Sequence, residues 1–294
     1  QGIYVNFELV KDAMRMKMPF GIAQIGKAFR NEITPRHYTF RTREFEQMEM
    51  QYFVHPSDAM GQWKKWKEAR LKWYEQIGIH SDSLRFHEHE KDDLAHYAKA
   101  AVDIEFHSPF GWQELEGIHH RGEYDLMRHM EYSGKDFRVL DDATHEKYIP
   151  NVVETSAGAD RLALVALLDA YEEIEGGRTQ TTKSTKEKEV VLRFHPRLAP
   201  IKVAVFPLAK KPEIQKIARE VFVTLQKNWM SAYDAGGSVG RRYRRQDEIG
   251  TPFCVTVDFE SVEKQTVTVR DRDTMQQDRV AVGELLTYFS EKLS

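Results

Sequence analysis

The segment from Phe29 to Phe53, F-R-N-E-I-T-P-R-H-Y-T-F-R-T-R-E-F-E-Q-M-E-M-Q-Y-F, constrains the fold more than any other part of the chain. It reads as two strands joined by a charged loop. Period-two alternation places Gln24, Ala28, Arg30 and Glu32 on one side of the first strand, opposite Ala23, Ile25, Lys27 and Phe29. On the second strand Phe45, Gln47, Glu49 and Gln51 share a face, opposite Glu44, Glu46, Met48 and Met50. Charge on both faces suits a strand poorly unless one face lines a site. Phe45 and Glu49 lie roughly 13 Å apart at the usual strand rise, a separation that suits an aromatic platform for a base and a receptor for a cation. The pattern alone is equally compatible with a solvated hairpin carrying scattered charge.

This segment closely resembles motif 2 of the class II aminoacyl-tRNA synthetases, in the form found in dimeric glycyl-tRNA synthetases. P-F-G-I-A-Q-I-G-K-A (Pro19 to Ala28) extends the likeness. So do G-W-Q-E-L-E-G-I-H-H-R-G-E-Y-D-L (Gly111 to Leu126) and P-N-V-V-E-T-S-A-G-A-D-R (Pro150 to Arg161), the latter similar to motif 3. The resemblance implies an α+β fold: an antiparallel-sheet catalytic core over 1–175, a connecting segment over 176–198 and a C-terminal α/β anticodon-binding domain over 199–294. It also implies ligation of glycine to its tRNA through glycyl-adenylate, with ATP and Mg2+ required.

In residue terms, the resemblance implies that Arg30 and Arg161 are catalytic. Arg30 would hold the α-phosphate and the glycine carboxylate. Glu32 would accept from the adenine amino group, Phe45 would stack on the base, and Arg41 would reach the distal phosphates. Arg161 would cover the other face of the adenine and the γ-phosphate. Asn31, Phe40, Leu115 and Gly158 complete the implied ATP site, and Glu114 would coordinate Mg2+. Gln47, Glu49, Glu154, Ser156 and Gly158 would receive glycine. Arg36 is an implied tRNA contact. Amino-acid activation joins an already ionised carboxylate to a phosphate, so it needs preorganised arginines and no general base. The chain departs from the family pattern at Thr155, where a proline is expected, which loosens the turn that aims Glu154. It departs again at His119-His120. A non-catalytic relative, such as the synthetase-like accessory subunit of mitochondrial DNA polymerase, is the alternative. The combination of Arg30, Glu32, Glu114, Glu154 and Arg161 argues against it, since a binding scaffold needs no such set.

At 294 residues and a net charge of −3, the chain has room for two domains and carries no global basic signature. The single cysteine, Cys254, excludes an internal disulfide and fits a reducing cytoplasm. No stretch approaches membrane-spanning length. The chain opens at Gln1 within Q-G-I-Y-V-N-F, similar to an internal stretch of the family, which implies a catalytic domain lacking motif 1 and a homodimer in the full-length protein.

Elsewhere the spacing predicts helices over Pro56 to Ile77, Leu94 to Ala101 and Leu162 to Tyr171, the last apolar nearly all round and therefore central. Glu172 to Lys188 reads as a polar excursion containing T-Q-T-T-K-S-T-K. From Ala199, strands alternate with helices, which predicts a mainly parallel sheet. His87 to Glu90 (H-E-H-E) lacks the spacing of a zincin helix, and G-G-S-V-G (Gly236 to Gly240) lacks the lysine of a phosphate loop. Arg241, Arg242, Arg244 and Arg245, around Tyr243, form a candidate contact to RNA backbone, with a solvated helix face as the competing reading.

Overall fold

The computed structural model of the chain describes residues 1–90, 94–142, 144–176, 178 and 188–293. They form two compact units, Gln1–Val165 and Ala166–Ser294. In the first, helices α1 (Gly2–Val5) and α2 (Phe7–Ala13) lead into β1 (Phe20–Phe29) and β2 (Glu44–Val54), the two strands of the expected hairpin. Then follow α3 (Ala59–Gln76), β3 (Leu84–Glu88), β4 (Ala100–Ser108), β5 (Gly111–Gly122) and α4 (Tyr124–Ser133). A short ladder of β6 (Val139–Leu140) and β7 (Lys147–Tyr148) precedes β8 (Asn151–Gly158) and α5 (Ala159–Ala170), and the boundary between the units falls within α5.

Six strands make one antiparallel sheet in the order β1-β2-β8-β5-β4-β3. Its two faces have different tasks. On one, Phe20, Phe53 and Val152 fall in a single cross-strand row and are covered by Ile3, Tyr4 and Phe7 of the N-terminal helices. Phe7 stacks on Phe20 at 5.7 Å and meets Phe53 at a tilt, 4.5 Å between ring centroids, contacts worth more than their area alone. Further along the same face the rows turn polar. The opposite face lies under α3: Trp63 donates to the Ile118 carbonyl at 3.1 Å, and Tyr52 packs edge-on against Trp66. Glu116, buried on that face, accepts both forks of Arg70 and the Tyr74 hydroxyl. That full complement is what allows a carboxylate to sit in an apolar layer.

Two helix expectations fail here. Leu94 to Lys99 form no helix, because Lys99 N–H bonds to the His120 carbonyl at 2.7 Å and the Tyr97 ring lies 3.9 Å from the Arg121 guanidinium. Tertiary pairing to β5 outweighs the weak local propensity of L-A-H-Y-A-K. Helix α5 is not buried all round either: Val165 is buried while Leu167 is 46% exposed.

In the second unit β9 (Tyr171–Glu175) pairs antiparallel with β10 (Lys188–Leu192). The polar run 179–186 lies outside the described residues. Next come β11 (Val203–Pro207), α6 (Pro212–Leu225), β12 (Ser231–Tyr233), α7 (Val239–Glu248) and β13 (Phe253–Val257). The chain continues through α8 (Phe259–Lys264), β14 (Thr266–Asp271), β15 (Gln277–Ala281) and α9 (Leu285–Lys292). The sheet order is β12-β11-β13-β14-β15, and it is mixed, not mainly parallel. β12, β11 and β13 run parallel, whereas β14 and β15 are antiparallel to their neighbours. The cause is connection length. Only the short α8 separates Val257 from Thr266, and a parallel crossover needs a dozen residues or more. Apolar side chains of β11, β13, β14 and α6 form its core, and Cys254 is buried among Ala204 and Phe206, where desolvation pushes its thiol far up. Among the described residues no helix is long and apolar enough to cross a membrane.

Phe53 is fully buried between Tyr4, Phe7 and Phe20. Phe53→Ala is expected to destabilise the first unit by about 3–5 kcal/mol, measured as a lowered urea midpoint at unchanged slope.

Candidate active site

The register of the large sheet assembles the site. Phe45 pairs with Ala28, Gln47 with Gly26 and Gly158, Glu49 with Gln24 and Ser156, and Gln51 with Ile22 and Glu154. On the far side of β8, Ser156 pairs with Gly117 and Glu154 with His119. Directly paired residues share a face, so the parity of two strands carries Phe45, Gln47, Glu49 and Gln51 onto one surface with Glu154, Ser156 and His119.

At one end is a cleft, partly open to solvent, whose walls include Arg30, Glu32, Phe40, Arg41, Phe45 and Arg161. The Arg30 guanidinium carbon stands 5.4 Å from the Phe45 ring centroid. β1 ends at Phe29, so Arg30 and Glu32 lie just beyond the strand that alternation had assigned them to. Arg41 donates to Glu32 from Nε at 2.7 Å, closing the hairpin loop. Arg161, in the first turn of α5, donates from Nε to the Phe40 carbonyl at 3.0 Å. Its Nη1 donates to the Glu114 carbonyl at 2.9 Å and carboxylate at 3.1 Å. Nη2 is left without a hydrogen-bond partner among the described residues. Asp160 accepts from Glu46 N–H at 2.8 Å, and its own carbonyl accepts from Thr39, which pins α5 to the hairpin. Gly158 makes this approach possible: a Cβ there would stand 3.3 Å from Arg161 Cγ.

Beside the cleft lies a second cavity. Arg30, Gln47, Glu114 and Ser156 line both, while Glu49, Glu154, Gly117, His119, Arg121 and Tyr97 line the second alone. Its centre is an acid pair held by one amide. Gln51 Nε2 donates to Glu49 Oε1 and to Glu154 Oε2, each at 2.6 Å. The Gln51 carbonyl accepts from the Tyr4 hydroxyl at 2.6 Å. Gln47 Nε2 bridges Glu49 at 3.2 Å and Ser156 at 2.5 Å. Arg121 reaches both Glu154 oxygens at 3.2 Å and clasps Asp125 at 2.8 and 3.0 Å. Burial pushes the Glu154 carboxyl up, but the neighbouring His119, Arg121 and the Gln51 amide outweigh it and hold the group below its ordinary range. Desolvation drives the Tyr4 hydroxyl far up, so it stays a donor.

Sequence reasoning placed Gln51 on this face but gave it no role, and it passed over Tyr4, Tyr97 and Arg121. The available signal was parity, since Gln51 follows Glu49 by two. Thr155 does not sit in a turn: it is a mid-strand residue of β8 between Met50 and Ile118, so no loosened turn follows from it. Asn31 is exposed and Leu115 fully buried, and neither lines the cleft. Leu115 falls at the irregularity where β5 pairs with β4, which turns it into the interior.

The candidate RNA run needs correction. Arg242 is buried and donates to the carbonyls of Pro207, Ala235, Gly236 and Gly237, so it cannot reach a phosphate. Arg244 pairs with Glu189 at 2.7 Å, and Arg245 with Asp234. Arg241 alone of the four is exposed with no ion-pair partner among the described residues, and Arg36 is likewise exposed. His89 bonds Asp103 at 2.9 Å, and among the described residues no group of three acidic, His or Cys side chains could hold a metal. The Glu114 carboxylate is half-exposed beside Arg161 at 3.1 Å, a hard oxygen donor of the kind Mg2+ takes one or two of.

Residues 5–171 match the family described as tRNA synthetase class II core domain (G, H, P, S and T). Residues 202–292 match the anticodon binding domain. The chain is 53% identical over 293 residues to a glycine–tRNA ligase of Borrelia hermsii, covering 98% of this chain and 64% of that protein. It is 52% identical over 296 residues to a glycine–tRNA ligase of Geobacillus kaustophilus, covering 100% and 62%. The chain thus spans less than two thirds of these relatives' length. The crystal structure of prolyl-tRNA synthetase from Cryptosporidium parvum, complexed with L-proline and AMP, shares the fold at a TM-score of 0.66 and 19% identity, covering 94% of this chain and 56% of that one.

A carboxyl held low in the folded state stabilises the protein fully above its unfolded value, and that contribution fades as pH falls through the lowered one. Wild type should therefore lose an advantage over Glu154→Gln as pH drops below the ordinary 4.5. Urea titrations between pH 7 and 3 are expected to show the two stability curves converging toward acid.

Proposed function

This chain belongs to the tRNA synthetase class II core family, and on that premise we propose that it carries the adenylate-forming and anticodon-binding parts of a glycine–tRNA ligase. The observation that supports this best is the adjacency of two unlike receptors. An acid pair, Glu49 and Glu154, faces one cavity, an arginine-and-phenylalanine cleft opens beside it, and Arg30 and Ser156 line both. An amino acid bound by its ammonium group at the first presents its carboxylate to a nucleotide phosphate in the second.

In the first step a carboxylate oxygen of glycine attacks the α-phosphorus of ATP, the bond to the bridging oxygen breaks, and pyrophosphate leaves. Glu49 and Glu154 receive the ammonium, with Ser156 and Gln47 fixing its approach. Arg30, at the junction, offsets the repulsion between carboxylate and α-phosphate and stabilises charge on the phosphoryl oxygens. Phe45 and Arg161 sandwich the adenine, Glu32 takes its amino group, and Arg41 reaches the distal phosphates. Mg2+ would neutralise charge on the phosphates when bound, and Glu114 would hold it. In the second step a terminal ribose hydroxyl of the tRNA attacks the glycyl carbonyl and AMP leaves. The second unit binds the anticodon arm, with Arg241, exposed on α7, as a contact to RNA backbone. The partners are glycine, ATP and the tRNA for glycine. The complete protein is a homodimer acting in the cytoplasm.

Pyrophosphate exchange with a panel of amino acids tests the assignment: glycine should support it and larger amino acids should not. Arg30→Lys replaces a forked donor by a point charge. It is expected to slow exchange by about 10²–10³-fold, the scale of one preorganised donor, with an unchanged thermal midpoint. Undiminished exchange would remove Arg30 from the mechanism.

Glu49→Gln removes one of two anions facing the ammonium. The KM for glycine should rise by tenfold or more, while the KM for ATP stays within about twofold. Equal losses for both substrates would place the ammonium elsewhere.

A further inference from the structure

We propose that the His119 imidazole is the wall that closes the amino-acid cavity against a side chain, and so sets its preference for glycine over alanine. This rests on the glycine-ligase reading above and adds a residue to it. His119 is paired across the sheet with Glu154, and Gly117 with Ser156. All four line the second cavity. The ring does not stand away from the sheet but lies back over Gly117: a Cβ at Gly117 would be 2.7 Å from His119 Cε1 and 3.5 Å from Nδ1. Glycine at 117 is thus a steric requirement of the ring's position, not of backbone conformation. Asp103 Oδ1 lies 3.4 Å from the same point. His119 Nδ1 lies 3.4 Å from Glu154 Oε1, at ion-pair distance without hydrogen-bond geometry, so the ring is held beside the acid pair.

A substrate with its ammonium among Glu49, Glu154 and Ser156 and its carboxylate toward Arg30 has its Cα over the Glu49–Ser156–Gly117 row. A substituent directed at β5 then meets the imidazole. Filling that space with a rigid ring rejects a methyl by exclusion, which is more effective than discriminating against a smaller substrate.

The test compares glycine- and alanine-dependent pyrophosphate exchange in wild type, His119→Ala, His119→Gln, Gly117→Ala and the Gly117→Ala/His119→Ala double variant, each checked for an intact thermal transition. His119→Ala should raise the alanine-to-glycine ratio of kcat/KM by tenfold or more, the scale of one methyl group in a fitted pocket. His119→Gln, which restores bulk, should keep the ratio near wild type. Gly117→Ala should push the ring into the cavity and raise the KM for glycine at least tenfold with the KM for ATP unchanged, and the double variant should reverse most of that loss. A ratio unmoved by His119→Ala, or a Gly117→Ala defect that the second substitution does not relieve, overturns the proposal. Should His119→Ala not fold, an unchanged glycine KM in Gly117→Ala overturns it equally. Wild type that activates some other amino acid and not glycine would instead overturn the functional reading.

Discussion

Gln51 is where the fold and the chemistry depend on the same bonds. Its amide nitrogen donates to Glu49 and Glu154 at once, and its carbonyl accepts from Tyr4. Two carboxylates that close together repel, and burial makes each more costly. The amide satisfies one oxygen of each without adding charge, and Arg121 supplies the cation that Glu154 needs. Arg121 is itself fixed by Asp125, which also accepts from Gln1 at 3.1 Å. Helix α1, strands β2, β5 and β8 and the start of α4 are thereby joined through one polar network. A network of this kind specifies geometry only when every member is satisfied. It leaves the two carboxylates turned toward the cavity with room for one more donor, the condition for an ammonium receptor.

That network adjoins an apolar end of the same sheet face, where Phe20, Phe53 and Val152 lie under Ile3, Tyr4 and Phe7. Tyr4 belongs to both: its ring packs on Phe53 and its hydroxyl bonds Gln51. The aromatic layer excludes water from one side of the acid pair, strengthening each charge-assisted bond within it. The opposite face repeats the solution with different residues, where Glu116 is satisfied by Arg70 and Tyr74 beneath α3. In both cases a buried carboxylate is tolerated because a guanidinium and a neutral donor reach it together.

Strand parity made Phe45, Gln47, Glu49 and Gln51 legible from the sequence, since period two needs no tertiary knowledge. Arg30 and Glu32 were placed by extending the same alternation past the end of β1. Arg30 still reaches the cleft because the chain turns over Phe45. What stayed hidden depends on contacts distant in sequence, such as Tyr4 with Gln51 and Arg121 with Glu154. The arginine run in α7 shows the opposite error. Its composition suggests a surface cation patch, yet Arg242 faces the loop that precedes the helix and satisfies the carbonyls of Ala235, Gly236 and Gly237. A glycine-rich turn directly before a helix leaves carbonyls without partners, and an arginine one turn into that helix is the donor that can reach them. That local signal was in the sequence and outweighs the charge pattern.

The two halves of the site are built under different dielectric conditions, and this separates how they can vary. The arginines of the cleft are largely solvent-facing, so holding them apart costs little and their attraction for phosphate is screened until a ligand displaces water. Arg161 is the exception, fixed by the Phe40 carbonyl and Glu114 with one nitrogen to spare. Of the acid pair Glu154 is buried and Glu49 half-buried, with their positions set by bonds that also hold α1 to the sheet. Changes in the cleft are therefore expected to alter the proposed nucleotide contacts while the fold persists. Changes at Gln51, Arg121 or Tyr4 are expected to disturb stability and the proposed amino-acid receptor together, because one set of hydrogen bonds holds both. The proposed amino-acid receptor thereby shares its hydrogen bonds with the attachment of α1 to the sheet.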